Sequence, residues 1–233
     1  MINKIIILLF LIVLNSFPSK GQFNAPNTLK YPFIKSQENN LIIYGDKAWS
    51  QFFNKLDNQY LEGEEKINIL HFGGSHIQAD IWSNRMRTNF QHSSPYNNSA
   101  RGFIFPFKLI KSNGSPFIKT SYSGRWKGYR SPVRQHNGPF GLMGVRAELL
   151  DSISTIKIRN KNPSNKYDAF NSVDVFFKDS SNDYEIKVIV DSNIQINHIR
   201  DKEYIKFQLS RSVHSIIIQI SKKHTTESKF FFS

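Results

Sequence analysis

The residues with the clearest capacity for chemistry lie in the stretch INILHFGGSHIQADIW, residues 67–82. An apolar run ends there at Gly73 and Gly74, and Ser75 and His76 follow. A serine hydroxyl in such a turn becomes a nucleophile if a base removes its proton and backbone N–H groups hold the oxyanion that forms on the substrate. The backbone N–H groups of Gly74, Ser75 and His76 are the candidate oxyanion donors. The same residues could equally form a structural turn, and their spacing alone leaves both interpretations open.

Other chemistries that use a glycine turn do not fit the surrounding residues. A Walker-type phosphate loop needs a Gly-Lys-Ser/Thr sequence, which is absent, and the α/β-hydrolase nucleophile elbow needs a glycine where Ile77 stands. A metallophosphoesterase would need carboxylates where Gly73 and Gly74 stand, and no cluster of His, Asp and Glu has the spacing of metal ligands. We therefore expect neither a metal nor another cofactor.

A helix, a strand and a second helix are predicted to position Ser75. Residues 46–63 carry apolar side chains at helical spacing, with Asp46 as a candidate N-cap and Gly63 as a candidate stop. Residues 67–72 form a short apolar run that is typical of a buried strand. From Ile77 onward apolar residues recur three to five positions apart, which predicts a second helix. Helix, buried strand, glycine turn and helix form an α/β unit.

The pattern changes beyond residue 142. Apolar and polar residues alternate there in short runs separated by Asn, Ser, Asp and Lys, which predicts an antiparallel β-sandwich. The runs are residues 153–159, 173–177, 184–190, 204–209 and 215–220. Residues 93–141 are rich in Gly, Pro, Arg and aromatic residues and are expected to form ordered connecting structure.

The sequence around Ser75 resembles that of a known family. The stretch ILHFGGSHIQADIWSNRMR, followed by ARGFIFPF, resembles the first sequence block of the SGNH, or GDSL-like, hydrolases, in particular the secreted bacterial branch whose block reads Gly-Asp-Ser-His. Members similar to peptidoglycan O-acetylesterases carry a carbohydrate-binding-like β-sandwich after this block. The resemblance covers about residues 45–140. It implies an α/β fold, the N-terminal part of a three-layer α/β/α domain, with Ser75 as nucleophile. Gly74 stands where the family usually has aspartate.

Two later blocks of that family are missing. Gly-x-Asn-Asp would supply an oxyanion asparagine, and Asp-x-x-His would supply the orienting acid and the base; none of the seven histidines has an aspartate three residues before it. We therefore expect a truncated or split chain, a β-sandwich that is incomplete with an open edge at its last strand, and a downstream-encoded partner chain that completes the domain. His76 and His136 are the first alternatives as a base within this chain.

The N-terminal residues read as a secretory signal. Lys4 precedes an apolar run, residues 5–14, that is too short to span a bilayer, and small residues follow at Ser19 and Gly21. The chain has no cysteine, which excludes disulfides and a lipoprotein attachment site. We expect cleavage after Gly21, no stable membrane span afterwards, and a periplasmic or extracellular location. The expected domains are residues 1–21 as signal peptide, 22–141 as the α/β part with its connecting segment, and 142–233 as the β-sandwich.

The formal net charge of +13 favours anionic partners. Export and the lack of a nucleic-acid-binding motif argue against nucleic acid. Because the basic residues are scattered along the sequence, a solvated surface and a surface for an anionic polymer both remain open. The expected partner is an acylated polysaccharide or cell-wall glycan, with Arg101 and Trp126 as candidate substrate-binding residues.

Two functions remain open, and the first is what the resemblance to the SGNH hydrolases implies. The first is a serine esterase of SGNH type that removes acyl groups, such as O-acetyl groups of a polysaccharide or of peptidoglycan, with Ser75 attacking the carbonyl carbon. The second is a non-catalytic exported protein that binds glycan and carries a vestigial serine site.

Overall fold

The structure is a computed structural model. It describes residues 31, 33–35, 38, 40, 42–97, 101–133, 140–179, 181–190, 194–224 and 228–233. The predicted signal peptide, its cleavage site and His136 lie outside the described residues. The chain divides into two compact units, Met1–Ser50 and Gln51–Ser233. Everything below concerns the second unit, apart from the first turn of helix α1.

Three short helices precede the strands in the described residues: α1 is Asp46–Leu61, α2 is Ser75–Gln78 and α3 is Ile81–Ser93. The predicted first helix is confirmed by α1. It ends before Gly63, which has a φ of 74°, and the N–H of Gly63 donates to the carbonyls of Asn58 and Gln59 at 3.2 Å. A glycine at this position accepts a left-handed backbone at little cost and closes the last turn.

Ten strands in the described residues form two antiparallel sheets. One sheet has four strands in the order β1-β4-β9-β6, and the other has six in the order β2-β3-β10-β5-β8-β7. The strands are β1 Ile118–Tyr122, β2 Trp126–Arg130, β3 Val145–Leu149, β4 Ile153–Asn160, β5 Phe170–Asp179, β6 Tyr184–Ile189, β7 Ile196–Arg200, β8 Tyr204–Val213, β9 Ser215–Lys222 and β10 Phe230–Phe232. Of two 3₁₀ turns, Phe107–Ile110 lies before β1 and Lys166–Asp168 lies between β4 and β5.

The two sheets pack face to face around one apolar core. In β4, Ile156 and Ile158 are buried whereas Lys157 is exposed, because successive side chains of a strand point to opposite faces. The buried side chains of both sheets belong to a single cluster. Across it, the rings of Tyr184 and Phe230 lie 5.1 Å apart. Each such buried side chain contributes about 1.5–3 kcal/mol to folding.

The expected α/β fold with a three-layer α/β/α domain is wrong. The described chain consists mainly of antiparallel β-sheets with only short helices. Residues 67–72, predicted to be a buried strand, belong to no strand. Ile69, Leu70 and Phe72 are 49%, 52% and 76% exposed. A strand of this type is buried only between neighbouring strands with helices on both faces, and no described segment pairs with this one.

The sandwich also begins earlier than expected, and its last strand is not an edge. The segment predicted to be connecting structure contains β1 and β2, which pair with β4 and β3. The last strand, β10, lies between β3 and β5 and hydrogen-bonds to both. Phe230 and Phe232 are 0% and 5% exposed. The expectation of an open edge at the last strand is therefore wrong, because the edges of the two sheets are β1, β6, β2 and β7.

Candidate functional site

Ser75 is the first residue of α2 and is exposed. The predicted helix near Ile77 is confirmed, but Ser75, which was expected on the turn before it, is its first residue. The two preceding glycines do not use the left-handed backbone that a sharp turn can require, since Gly74 has a φ of −89°. Gly73 is needed for space instead, because a Cβ there would lie 2.6 Å from Cγ1 of Ile77.

Helix α2 leaves two backbone N–H groups available beside Ser75. The N–H groups of Ile77 and Gln78 donate to the carbonyl of Gly74 at 3.1 Å, and that of Ala79 donates to the carbonyl of Ser75 at 2.8 Å. Among the backbone bonds of the described residues, the N–H groups of Ser75 and His76 have no acceptor. The first N–H groups of a helix point away from its carbonyls, so these two can bind an oxygen that develops negative charge.

No base accompanies this serine in the part of the chain that the structure describes. His76 is exposed, and His71 stacks on Trp82 with the ring centroids 5.0 Å apart. No hydrogen bond joins the Ser75 hydroxyl to a histidine or carboxylate within the described ranges. The position therefore offers a nucleophile and oxyanion donors, and the nucleophile has no hydrogen bond to a base among the described residues.

The helix that carries Ser75 is held by side-chain contacts. Gln78 donates from Nε2 to the hydroxyl of Ser112 at 2.9 Å and to the carbonyl of Asn113. Asp80 then interrupts the helix with a left-handed backbone, φ 56° and ψ 20°, which short polar side chains tolerate better than most. The single helix predicted from Ile77 is therefore two helices, α2 and α3.

Asp80 is the centre of a polar network that sequence reasoning missed. Its carboxylate accepts hydrogen bonds from Ser83 at 2.7 Å, Arg87 at 2.9 Å and Ser115 at 2.8 Å, and another from Arg101. Burial alone raises the pKa of Asp80, but the bonds from Ser83, Arg87 and Ser115 and the charge of Arg87 outweigh it and hold the pKa below its usual value. Two of the partners, Arg101 and Ser115, lie 21 and 35 residues away, beyond any local pattern.

The two candidate substrate-binding residues are engaged within the structure. The Arg101 side chain is 8% exposed, and besides Asp80 it donates to Oδ1 of Asn84 at 2.7 Å and lies 3.5 Å from Oδ1 of Asp168. Trp126 is half-buried against the core. Its Nε1 donates to the Ser154 hydroxyl at 3.1 Å and to the carbonyl of Ser123 at 3.2 Å.

A cavity of about 900 Å³ lies between α1, α3 and the sandwich. Such a volume is within the range of about 300–1,000 Å³ that small-molecule sites occupy. Its walls are mainly apolar, with Arg101 and Asp168 among the polar residues, and Ser75 is not among the residues that line it. The cavity and the candidate nucleophile are thus separate features.

Two features of the structure and two comparisons with known proteins bear on the class of protein. None of the helices in the described ranges combines the length and the apolar character needed to cross a membrane. The same part of the chain contains no group of three or more His, Asp or Glu side chains that could hold a metal ion. No model of a protein family matches the chain, and no curated protein matches it significantly.

Proposed function

We propose that Ser75 is the nucleophile of a serine esterase that removes acyl groups, with O-acetyl groups of a polysaccharide or of peptidoglycan as the substrate class. The observation that carries the proposal is the exposed Ser75 at the start of α2, beside the backbone N–H groups of Ser75 and His76 that the helix does not use. The resemblance of the GGSH stretch to the first SGNH block supports the same role.

The chemistry assigns a defined part to each group. The Ser75 hydroxyl oxygen attacks the ester carbonyl carbon, and the N–H groups of Ser75 and His76 donate to the oxygen that becomes negative. Collapse of the tetrahedral species releases the sugar alcohol and leaves an acyl group on Ser75. Water then releases the acid and restores the hydroxyl. Both steps need a base that accepts a proton and returns it to the leaving group.

We propose that a separately encoded partner chain supplies that base. The proposal is supported by the lack of a histidine or carboxylate on Ser75 among the described residues, and by the missing Gly-x-Asn-Asp and Asp-x-x-His blocks. A serine without its base is a poor nucleophile, and an enzyme that lacks a member of its triad retains only about 10³- to 10⁴-fold of catalysis over water. The isolated chain is therefore expected to turn over slowly.

The test compares the chain, Ser75→Ala and the control Ser164→Ala, which changes an exposed serine between β4 and β5. Hydrolysis of p-nitrophenyl acetate is measured for each protein alone and with the product of the neighbouring downstream gene. We expect slow turnover by the chain alone, and turnover in the mixture that Ser75→Ala abolishes and Ser164→Ala leaves intact. Equal turnover by the mixture containing Ser75→Ala would refute the role of Ser75. Fast turnover by the chain alone that is lost in Ser75→Ala would place the base within it, and His76 and His136 would be substituted next.

A second candidate, a non-catalytic glycan-binding protein, is favoured by an exposed aromatic cluster. The rings of Phe103 and Phe176 lie 6.3 Å apart, and those of Phe176 and Tyr204 lie 5.6 Å apart. Phe103 is 51% and Phe176 40% exposed. Aromatic faces pack against the apolar C–H faces of sugar rings. If the cluster binds glycan, Phe176→Ala weakens binding of chitin oligosaccharides in calorimetry, whereas Ile199→Ala, at a 71% exposed residue of β7, does not.

We also propose export with cleavage after Gly21, which rests on the order of cation, apolar run and small residues at the N-terminus. Mass spectrometry of the protein recovered from the periplasm or medium should find a chain that begins at Gln22. An intact N-terminus in that fraction would contradict the proposal.

A further inference from the structure

The outer surface of the four-stranded sheet carries a group of cations from different strands. Alternation along β4 turns Lys157 and Arg159 outward while Ile156 and Ile158 fill the core. In the neighbouring strand, Lys119 of β1 lies directly opposite Arg159. Lys119, Lys157 and Arg159 are all exposed. We call these three residues, together with Lys187 of β6, the basic face.

The charges of the basic face are poorly balanced. Lys187 pairs with Glu185 at 3.0 Å, but Lys119, Lys157 and Arg159 form no ion pair among the described residues. Like charges directly opposite each other on neighbouring strands are destabilising. The Lys119–Arg159 pair therefore costs folding energy that an anionic ligand would recover.

The extent of the basic face fits a polymer better than a single small anion. The strand register separates Lys119 and Lys187 by three strand spacings across the sheet and by four residues along the strands. With strands about 4.8 Å apart and a rise of about 3.3 Å per residue, the two positions are about 20 Å apart. Between them the same surface carries Ser121 and Gln219, whose hydroxyl and amide groups can hydrogen-bond to sugar hydroxyls.

Nucleic acids fit this surface less well than an acidic polysaccharide does. Single-stranded nucleic acid is bound by aromatic side chains on which bases stack, and the aromatic Tyr122 pairs with the buried Ile156, so alternation assigns it to the opposite surface of the sheet. Duplex DNA is read by a helix or ribbon that enters a groove, whereas these cations lie within a sheet. Membrane-surface binding needs large apolar side chains next to the cations. The row of Lys119 and Arg159 continues into Ser215, whereas the row of Lys157 continues into Ile217 and Ile189, so a lipid surface is the competing occupant that the vesicle measurement below distinguishes.

We propose that the basic face binds an acidic polysaccharide, one that carries carboxylate or sulfate groups along its chain. Lys119, Lys157 and Arg159 contact the negative groups, and the neighbouring hydroxyl and amide side chains contact the sugar. This site is independent of Ser75 and of the Phe103–Phe176–Tyr204 cluster, so it does not rest on either proposed function.

The experiment measures binding of polygalacturonate to the full chain by calorimetry, beside the neutral polymer dextran. The test variant is Lys119→Gln/Lys157→Gln/Arg159→Gln. The control, Lys55→Gln/Lys178→Gln/Lys206→Gln, removes the same charge from exposed lysines elsewhere. Each exposed ion pair contributes a factor of about two to five, so the test variant should bind roughly tenfold or more weakly and the control within about threefold of the unmodified chain. Binding should also weaken steeply as salt shortens the screening length from about 10 Å to about 3 Å.

A second measurement separates loss of the ligand site from loss of the fold. Because Lys119→Gln and Arg159→Gln remove a repulsive pair, the test variant should melt at or above the temperature of the unmodified chain. Equal loss of polygalacturonate binding in both triple variants would overturn the proposal, as would equal binding of dextran. Tighter binding to vesicles of phosphatidylglycerol or to duplex DNA than to polygalacturonate would also overturn it, in favour of a lipid or nucleic-acid surface.

Discussion

Replacing Asp80 with alanine is expected to lower the free energy of unfolding by about 3–5 kcal/mol. The Asp80 side chain is 16% exposed and accepts hydrogen bonds from two serines and two arginines. Its removal leaves the Arg101 side chain, 8% exposed, with Asp168 at 3.5 Å as its remaining carboxylate among the described residues. Removing one partner of a buried ion pair typically costs about 3–5 kcal/mol, because the other charge stays buried without compensation. The φ of 56° at this position adds to the cost, since alanine adopts it less readily than aspartate.

The variant Asp80→Asn removes the negative charge of the side chain while nearly keeping its shape. Asparagine keeps an acceptor oxygen and tolerates the same backbone, so the loss should be about half as large, in line with about 0.5–1.5 kcal/mol for a neutral hydrogen bond against about 1.5–3 kcal/mol for a charged one. The pKa of Asp80 is lower in the folded protein than in the unfolded chain. The ionised carboxylate therefore contributes fully to the free energy of unfolding above the unfolded-state pKa of about 3.9, and this contribution is lost as the pH falls through the lower folded-state pKa. This acid-dependent loss should be smaller in Asp80→Asn.

The assay is urea unfolding followed by tryptophan fluorescence at pH 7 and at a series of pH values down to 3. Trp82 in α3 is a reporter two residues from the substitution. Asp57→Ala, at an exposed position of α1, serves as the control for removing one negative charge. The reasoning fails if Asp80→Ala and Asp57→Ala unfold at the same urea concentration, because the network would then contribute nothing to stability.

Three further substitutions test the packing of the sandwich. Gly128→Ala should destabilise the fold by about 1–3 kcal/mol or more, since its Cβ would lie 2.5 Å from the Cα of Ile110, and a melting temperature equal to that of the unmodified chain would contradict this steric argument. Ile218→Ala should cost about 2–5 kcal/mol in urea unfolding, because the side chain is 2% exposed at the centre of the core; a cost below 1 kcal/mol would show that the core collapses around the gap. Ser154→Ala should cost about 1–3 kcal/mol and change the fluorescence of Trp126, which loses an acceptor for its Nε1; an unchanged emission spectrum would count against that hydrogen bond.

Much of the β region could be predicted from local pattern. The alternating runs that begin at Ile153 and Tyr204 lie within β4 and β8, because a strand with one buried face imposes a period of two on the sequence. Helix α1 and its end before Gly63 were predictable for a similar reason, since helical spacing of apolar residues and the glycine after it are both local. A helix near Ile77 was predictable from a local change of period, although the helix begins two residues earlier, at Ser75.

The sequence alone could not determine whether an apolar run pairs with neighbouring strands. Residues 67–72 have the composition of a buried strand, yet burial depends on neighbouring strands that the run itself does not contain, and in the structure Phe72 is 76% exposed. The short β10 shows the opposite outcome, because it is buried by pairing with both β3 and β5.

The tertiary structure decided which distant polar residues meet. Lys119 and Arg159 are brought opposite each other by the pairing of β1 with β4, so cations that look scattered in the sequence share one surface. Asp80 is joined to Arg101 and Ser115 in the same way, by contacts across 21 and 35 residues. Sequence periodicity reports which side of an element faces the core. Strand register and buried ion pairs depend instead on contacts between elements, and those form only when the chain has folded.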